Sequence, residues 1–184
     1  MNKKIAVFLL SVVTLAATSA MAGSKDPMVG GAAMYPTKDI VDNAVNSADH
    51  TTLVAAVKAA GLVDTLKGPG PFTVFAPTNE AFAKLPAGTV DTLVKPENKE
   101  MLTKILTYHV VAGRISASDL KKQIEAGGGQ ATLKTVSGGS LTAMMQGKNI
   151  VLKDEKGDLS TVTIPNVFQS NGVIHVVDTV LLPN

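Results

Sequence analysis

The chain of 184 residues has no cysteine and no tryptophan, one arginine (Arg114), and aromatic residues at only 4%. Each shortage excludes a class of function. Without cysteine there is no disulfide framework, no iron–sulfur or thiolate–zinc site, no cysteine nucleophile and no cysteine for a lipid anchor. So few aromatics supply no stacking platform for single-stranded nucleic acid. One arginine leaves bidentate recognition of phosphate or guanine almost unprovided. Charged residues make up 17% and hydrophobic residues 45%, too apolar a balance for a disordered chain, and the length suits one folded domain.

The N-terminus reads as a targeting segment. Lys3 and Lys4 precede an apolar run over residues 5–17, too short for a comfortable membrane span, and Ala20-Met21-Ala22 supplies a small-x-small cleavage pattern. Cleavage after Ala22 leaves 162 residues. It also removes two of the 17 basic residues, so that basic and acidic residues stand level at 15 each. The net charge of +2 is therefore no nucleic-acid footprint. A periplasmic or secreted location follows, with no membrane span after cleavage. A core of this size needs no disulfide there.

Residues 23–36 are small, Gly-rich and aperiodic and read as a flexible leader. From Thr37, a candidate N-cap, the spacing of Ile40, Val41, Ala44 and Val45 predicts a helix. Thr51 or Thr52 begins a second, with Leu53, Val54, Val57 and Ala60 on one face and Gly61 as its stop. Gly68-Pro69-Gly70-Pro71 breaks the pattern, and residues 72–76 (FTVFA) read as a strand ended by Pro77. Thr78 is placed to cap a short helix. Met101, Leu102, Ile105 and Leu106 mark another helix, residues 108–111 (YHVV) are strand-like, and Ser116-x-x-Asp119 forms a capping box before Leu120 and Ile124. Beyond Gly127-Gly128-Gly129 the texture changes to short β-rich runs separated by turns. Helices first and strands second predict an α+β fold, not an alternating parallel sheet.

Three segments, in this order and spacing, resemble the fasciclin domain. They are residues 73–82 (TVFAPTNEAF), 108–111 (YHVV) and 171–178 (NGVIHVVD), led by Asp39-Ile40-Val41. The resemblance covers residues 37–183, within a domain taken as 37–184. It implies a compact wedge of β-strands with helices packed against it. The shared residues Thr73, Phe75, Pro77, Thr78, Asn79, Phe82, Asn171, Gly172 and His175 are explained by folding: Phe75 and Phe82 each bury apolar area worth ~2 kcal/mol. Thr78 or Asn79 satisfies helix N–H groups, and Asn171-Gly172 gives a turn that tolerates positive φ. The alternation of β-strands places Ile174 and Val176 on one face, and Val173, His175 and Val177 on the other.

No His-x-x-x-His, His-Glu-x-x-His, Gly-x-Ser-x-Gly or phosphate-loop pattern occurs, so no catalytic residue and no metal or other cofactor is expected. Met28, Met34, Met144 and Met145 with His50 offer soft ligands in principle, at irregular spacing. Apolar gap-filling accounts for the methionines equally well. In animal members of the family the Tyr-His segment is tied to adhesion, so the resemblance marks Tyr108 and His109 as binding residues in general form. The expected function is a non-catalytic extracytoplasmic adhesion or interaction module, with an extracellular or envelope protein or a surface polysaccharide as partner. The alternative is a carrier of a small apolar ligand. Some algal proteins resembling this family bind carotenoids, and a carotenoid or lipid here would meet Tyr35, Ile40, Val41, Met144 and Met145. A periplasmic hydrolase ranks last, resting only on scattered Ser, His and Asp.

Overall fold

The computed structural model describes residues 26–184. The expected signal segment, 1–22, lies outside the described residues. Nine strands and seven α-helices follow among the described residues. The strands are β1 (Met28–Val29), β2 (Ala32–Ala33), β3 (Phe72–Pro77), β4 (Val110–Ala112), β5 (Gln130–Lys134), β6 (Ser140–Gln146), β7 (Asn149–Lys153), β8 (Leu159–Gln169) and β9 (Gly172–Val177). The helices are α1 (Ile40–Ala44), α2 (Thr51–Ala60), α3 (Val63–Lys67), α4 (Asn79–Ala83), α5 (Thr89–Leu93), α6 (Lys99–Tyr108) and α7 (Ala117–Ala126). All seven helices precede β5 and five of the nine strands follow α7, so the α+β segregation read from the sequence holds.

Seven strands form one sheet in the order β4-β3-β9-β8-β7-β6-β5. Every neighbouring pair is antiparallel except β3 and β9, which run parallel from Phe72 opposite Gly172 to Pro77 opposite Val177. The two outer strands come back together: Val111 bridges Thr135, and the Val136 N–H donates to the Val110 carbonyl at 2.8 Å. The sheet is thus nearly closed, which removes most of its exposed edge.

Alternation along β3 and β9 divides the interior into two cores. Val74, Ala76, Ile174 and Val176 face the helical layer with Leu53, Val57, Leu102 and Leu106. Phe75 and Val177 face the inside of the curled sheet, where Leu120 and Ile124 of α7 join Leu133, Leu141 and Leu152. The face assignment read for β9 is the observed one. α7 enters this second core because its start is fixed. Ser116 Oγ accepts from the Asp119 N–H at 3.1 Å, and Asp119 Oδ2 accepts from the Ser116 N–H, also at 3.1 Å.

Several local expectations are corrected. The first helix is capped by Asp39, not Thr37: its carboxylate accepts from the Asp42 N–H at 2.8 Å. Tyr108 ends α6 and His109 is that helix's C-cap, so the strand begins only at Val110. Among the β-rich runs, β8 is long and carries Pro165 within it. It runs on to Gln169 through irregular register between Val162 and Val167, with Asn166 at φ 61°. Such a bulge lets one strand carry a proline and bend between two parts of a sheet.

Residues 26–36, expected as part of a flexible leader, instead build a hairpin. β1 and β2 pair Met28 with Ala33 and Val29 with Ala32 around Gly30-Gly31, both at positive φ (57° and 76°). That is the dihedral demand of a two-residue hairpin turn. The hairpin docks through the Ala48 N–H to the Gly30 carbonyl and buries Val29 and Met34 in the helical-side core. No helix among the described residues is long and apolar enough to cross a membrane.

Candidate functional site

The shared motif residues act as clamps between distant elements. Asn171 donates to the Leu66 and Gly68 carbonyls (2.7 and 3.0 Å) and accepts from the Ile40 N–H (3.0 Å), tying α1, α3 and β9 together. Gly172 has no positive φ. Its lack of a side chain is needed for packing instead, because a Cβ there would lie 2.2 Å from the Phe72 carbonyl oxygen. Thr73 donates to the Gly113 carbonyl and accepts from the Ile115 N–H. Thr78 caps α4 by accepting from the Ala81 N–H. Asn79 accepts from the Thr52 N–H and donates to the Ala48 carbonyl, pinning the start of α2. Pro77 closes β3, Phe82 is buried beside the helical layer, and Phe75 stacks on His175 with ring centroids 5.6 Å apart.

His175 is fully buried. Its Nε2–H donates to the Ile115 carbonyl (2.9 Å) while Nδ1 accepts from the Asn166 N–H (3.3 Å). His109 is equally enclosed. Its Nδ1–H donates to the Ile105 carbonyl (2.9 Å) and its Nε2 accepts from the Leu181 N–H (3.0 Å). These bonds use both nitrogens of a neutral ring. Burial pushes His109 down to about 4, only partly offset by the Ile105 carbonyl and the Asp154 charge, and lowers His175 as well.

Tyr108 is buried with its hydroxyl donating to the Ser140 carbonyl (2.7 Å) and accepting from the Glu155 N–H (3.1 Å). Desolvation raises this phenol to about 12. The two side chains that the resemblance marked for binding are therefore committed to the fold, and a direct contact from either would require opening the core. Tyr108→Phe removes two part-buried hydrogen bonds, to the Ser140 carbonyl and from the Glu155 N–H, and should cost about 1 kcal/mol. Urea denaturation of the two proteins measures it; coincident midpoints would show that the hydroxyl contributes nothing.

The apolar-ligand candidates separate. Ile40 and Val41 line an apolar cavity of about 70 Å³ between the helical layer and β3–β9, with Val29, Met34, Val57 and His50. Tyr35 is 44% exposed outside it, with Lys38 Nζ 5.1 Å from its ring centroid. Met144 and Met145 lie on β6, and Met145 packs against the other core. The sequence reading missed the hairpin's Val29 and Met34 as lining residues. The available signal was Gly30-Gly31 between two short apolar pairs, a hairpin pattern. His50 was singled out only with the methionines. Of these, Met34 alone lines the cavity beside it.

A helical layer, an almost closed sheet plugged by α7, and motif residues used as internal clamps define a scaffold of the α+β class. The fasciclin-domain family model matches residues 48–183, and the chain belongs to that family. It is 45% identical over 176 residues to Protein sll1483 of Synechocystis sp., covering 96% of this chain and 91% of that one. It is 34% identical over 160 residues to the cell surface glycolipoprotein MPB83 of Mycobacterium bovis, covering 84% of this chain and 64% of the relative. The FAS1 domain pair of the insect cell adhesion molecule fasciclin I shares the fold at TM-score 0.71 and 21% identity. That match takes in 80% of this chain and about half (51%) of the solved one.

Proposed function

We propose that the protein is a non-catalytic extracytoplasmic interaction module that binds an envelope or extracellular protein, or a surface polysaccharide. Membership of a family whose relatives include a cell surface glycolipoprotein and a cell adhesion molecule carries this reading. The buried histidines support it. His109 and His175 spend both nitrogens on backbone groups. The Ser47–His50 pair (2.9 Å) has no third group among the described residues on the other ring nitrogen to orient it as a base. A nucleophile and its base must instead meet a substrate. In this reading Tyr108 and His109 shape the binding surface from beneath. His109 holds Leu181, while Asp154 and Glu155 hold the Leu182 and Asn184 N–H groups, so together they fix the C-terminal segment. Export proceeds with cleavage after Ala22.

The test is retention of envelope proteins or polysaccharides from the native organism on the immobilised mature protein. Retention of neither would sink the proposal. N-terminal sequencing of the exported protein should begin at Gly23.

The apolar cavity favours a second reading, carriage of a small apolar ligand. Its volume sets a limit. A cavity of roughly 150 Å³ admits benzene, and this one is about 70 Å³. A ligand the length of a carotenoid enters only if the hairpin or a helix moves. Native mass spectrometry of protein purified from its own compartment tests this reading: a retained apolar molecule supports it, a bare chain opposes it.

A further inference from the structure

Two described side chains hold buried polar atoms with no hydrogen-bond partner, His50 at Nε2 and Gln169 at its amide. Of the two, only His50 lines the apolar cavity. It is 3% exposed, and its Nδ1 meets Ser47 Oγ at 2.9 Å. Ser47 is itself only 2% exposed, and its hydroxyl has no other hydrogen-bonding partner among the described residues. The hydroxyl proton therefore goes to Nδ1, since the opposite arrangement would leave it without an acceptor inside the protein. That choice puts the ring proton on Nε2, as an unused donor. The Ala76 carbonyl is near enough to favour the protonated ring but completes no hydrogen bond. The rest of the wall is almost all carbon. A trapped water would find few of the two to four polar partners that buried waters require.

We propose that this cavity is a binding site for an apolar molecule ending in one uncharged oxygen acceptor, a ketone or an alcohol, which receives the His50 Nε2–H. The inference rests on the carrier reading and names its ligand class. Charge decides between an acceptor oxygen and a carboxylate. Burial keeps His50 in its neutral form, so it offers no counter-ion, and a carboxylate desolvated against carbon is strongly disfavoured. The hairpin closes one end of the site. Val29 and Met34 are buried in the wall, and the hairpin sits on the turn that carries His50, through the Ala48 N–H to the Gly30 carbonyl. Residues 28–47 precede the part matched by the family model. Because the closed void holds only a few heavy atoms, longer ligands bind with displacement of the hairpin.

The probes are acetone and propane, which differ by one oxygen among their heavy atoms and suit a void of about 70 Å³, titrated into the mature protein and followed by NMR. The ketone should bind at least five-fold more tightly and move the His50 Nε2 resonance. His50→Leu should retain propane and lose the preference. If that variant does not fold, the Nε2 resonance of the unaltered protein decides alone. Equal affinities, a ketone that leaves Nε2 unmoved, or a preference that survives in His50→Leu would each overturn the His50 anchor while leaving a carrier. Binding of neither probe would overturn the carrier reading together with the inference.

Discussion

Replacing Gly172 by alanine should destabilise the protein by about 3 kcal/mol or more, the upper end of what overpacking costs. The added Cβ would sit 2.2 Å from the Phe72 carbonyl oxygen and 2.9 Å from Ile40 Cδ1. The Ile40 methyl can swing aside. The carbonyl cannot, because Phe72 is the first residue of β3 and stands opposite Gly172 in the parallel β3–β9 register. The Phe72 N–H is also bound to the Asn171 carbonyl at 3.0 Å. Relief therefore means parting the pair of strands that separates the two cores, and loosening the Asn171 clamp with it. Gly31→Ala is the matched control. Its φ of 76° strains an L-residue, but no atom lies within 4 Å of the new Cβ, so about 1 kcal/mol is expected. Denaturant midpoints for both variants decide the matter. A Gly172→Ala protein no weaker than Gly31→Ala would show that the backbone yields there.

Whether a feature was legible in the sequence depended on the range over which its cause acts. Thr78 and the Ser116–Asp119 box declare themselves because a cap bonds to N–H groups two or three residues on. The alternation in residues 173–177 is likewise local, and it named both faces of β9 correctly. Asn171-Gly172 was recognised as a motif and given the wrong cause. The turn reading needed only neighbours, whereas the observed need is space against Phe72, a hundred residues earlier. Tyr108 and His109 looked like strand residues because their types suit a strand; the helix before them extends two residues past Leu106 to Tyr108, whose hydroxyl bonds to Ser140 and Glu155 across the fold. The hairpin at residues 28–33 has too few residues to show a period, and its stability comes from the cavity it covers. His50 stood out only as a soft nitrogen to group with the methionines. Its chemistry lies in a missing partner, and a sequence does not show which hydrogen bonds go unmade.

Acid should weaken the fold before any carboxylate titrates, and His109 should be the main cause. An unfolded histidine takes up its proton near pH 6.5, whereas in the folded chain burial holds His109 down to about 4. Between those values the unfolded state binds more protons than the folded one, so stability rises with pH and is lost as pH falls through the interval. His109 alone accounts for about 2 kcal/mol between pH 7 and pH 5, approaching about 3 kcal/mol near pH 4. His50 and His175 are lowered for the same reason and add with the same sign. Asp42, Asp119 and Glu155 are lowered by the groups that bind them: Lys67 for Asp42, Ser116 for Asp119, and the Ser140 N–H for Glu155. The stability they contribute is present above the ordinary carboxylate range and lost below it, so the window from pH 6.5 to 5 belongs to the histidines. Urea unfolding at pH 7, 6 and 5 reads the slope directly. His109→Gln should be less stable at pH 7, because one amide does not reproduce both the Ile105 and Leu181 bonds. Its stability should then fall by about 2 kcal/mol less on going to pH 5. Parallel curves for the two proteins would mean that His109 admits a proton without leaving the folded state, and that the acid sensitivity of the domain lies elsewhere.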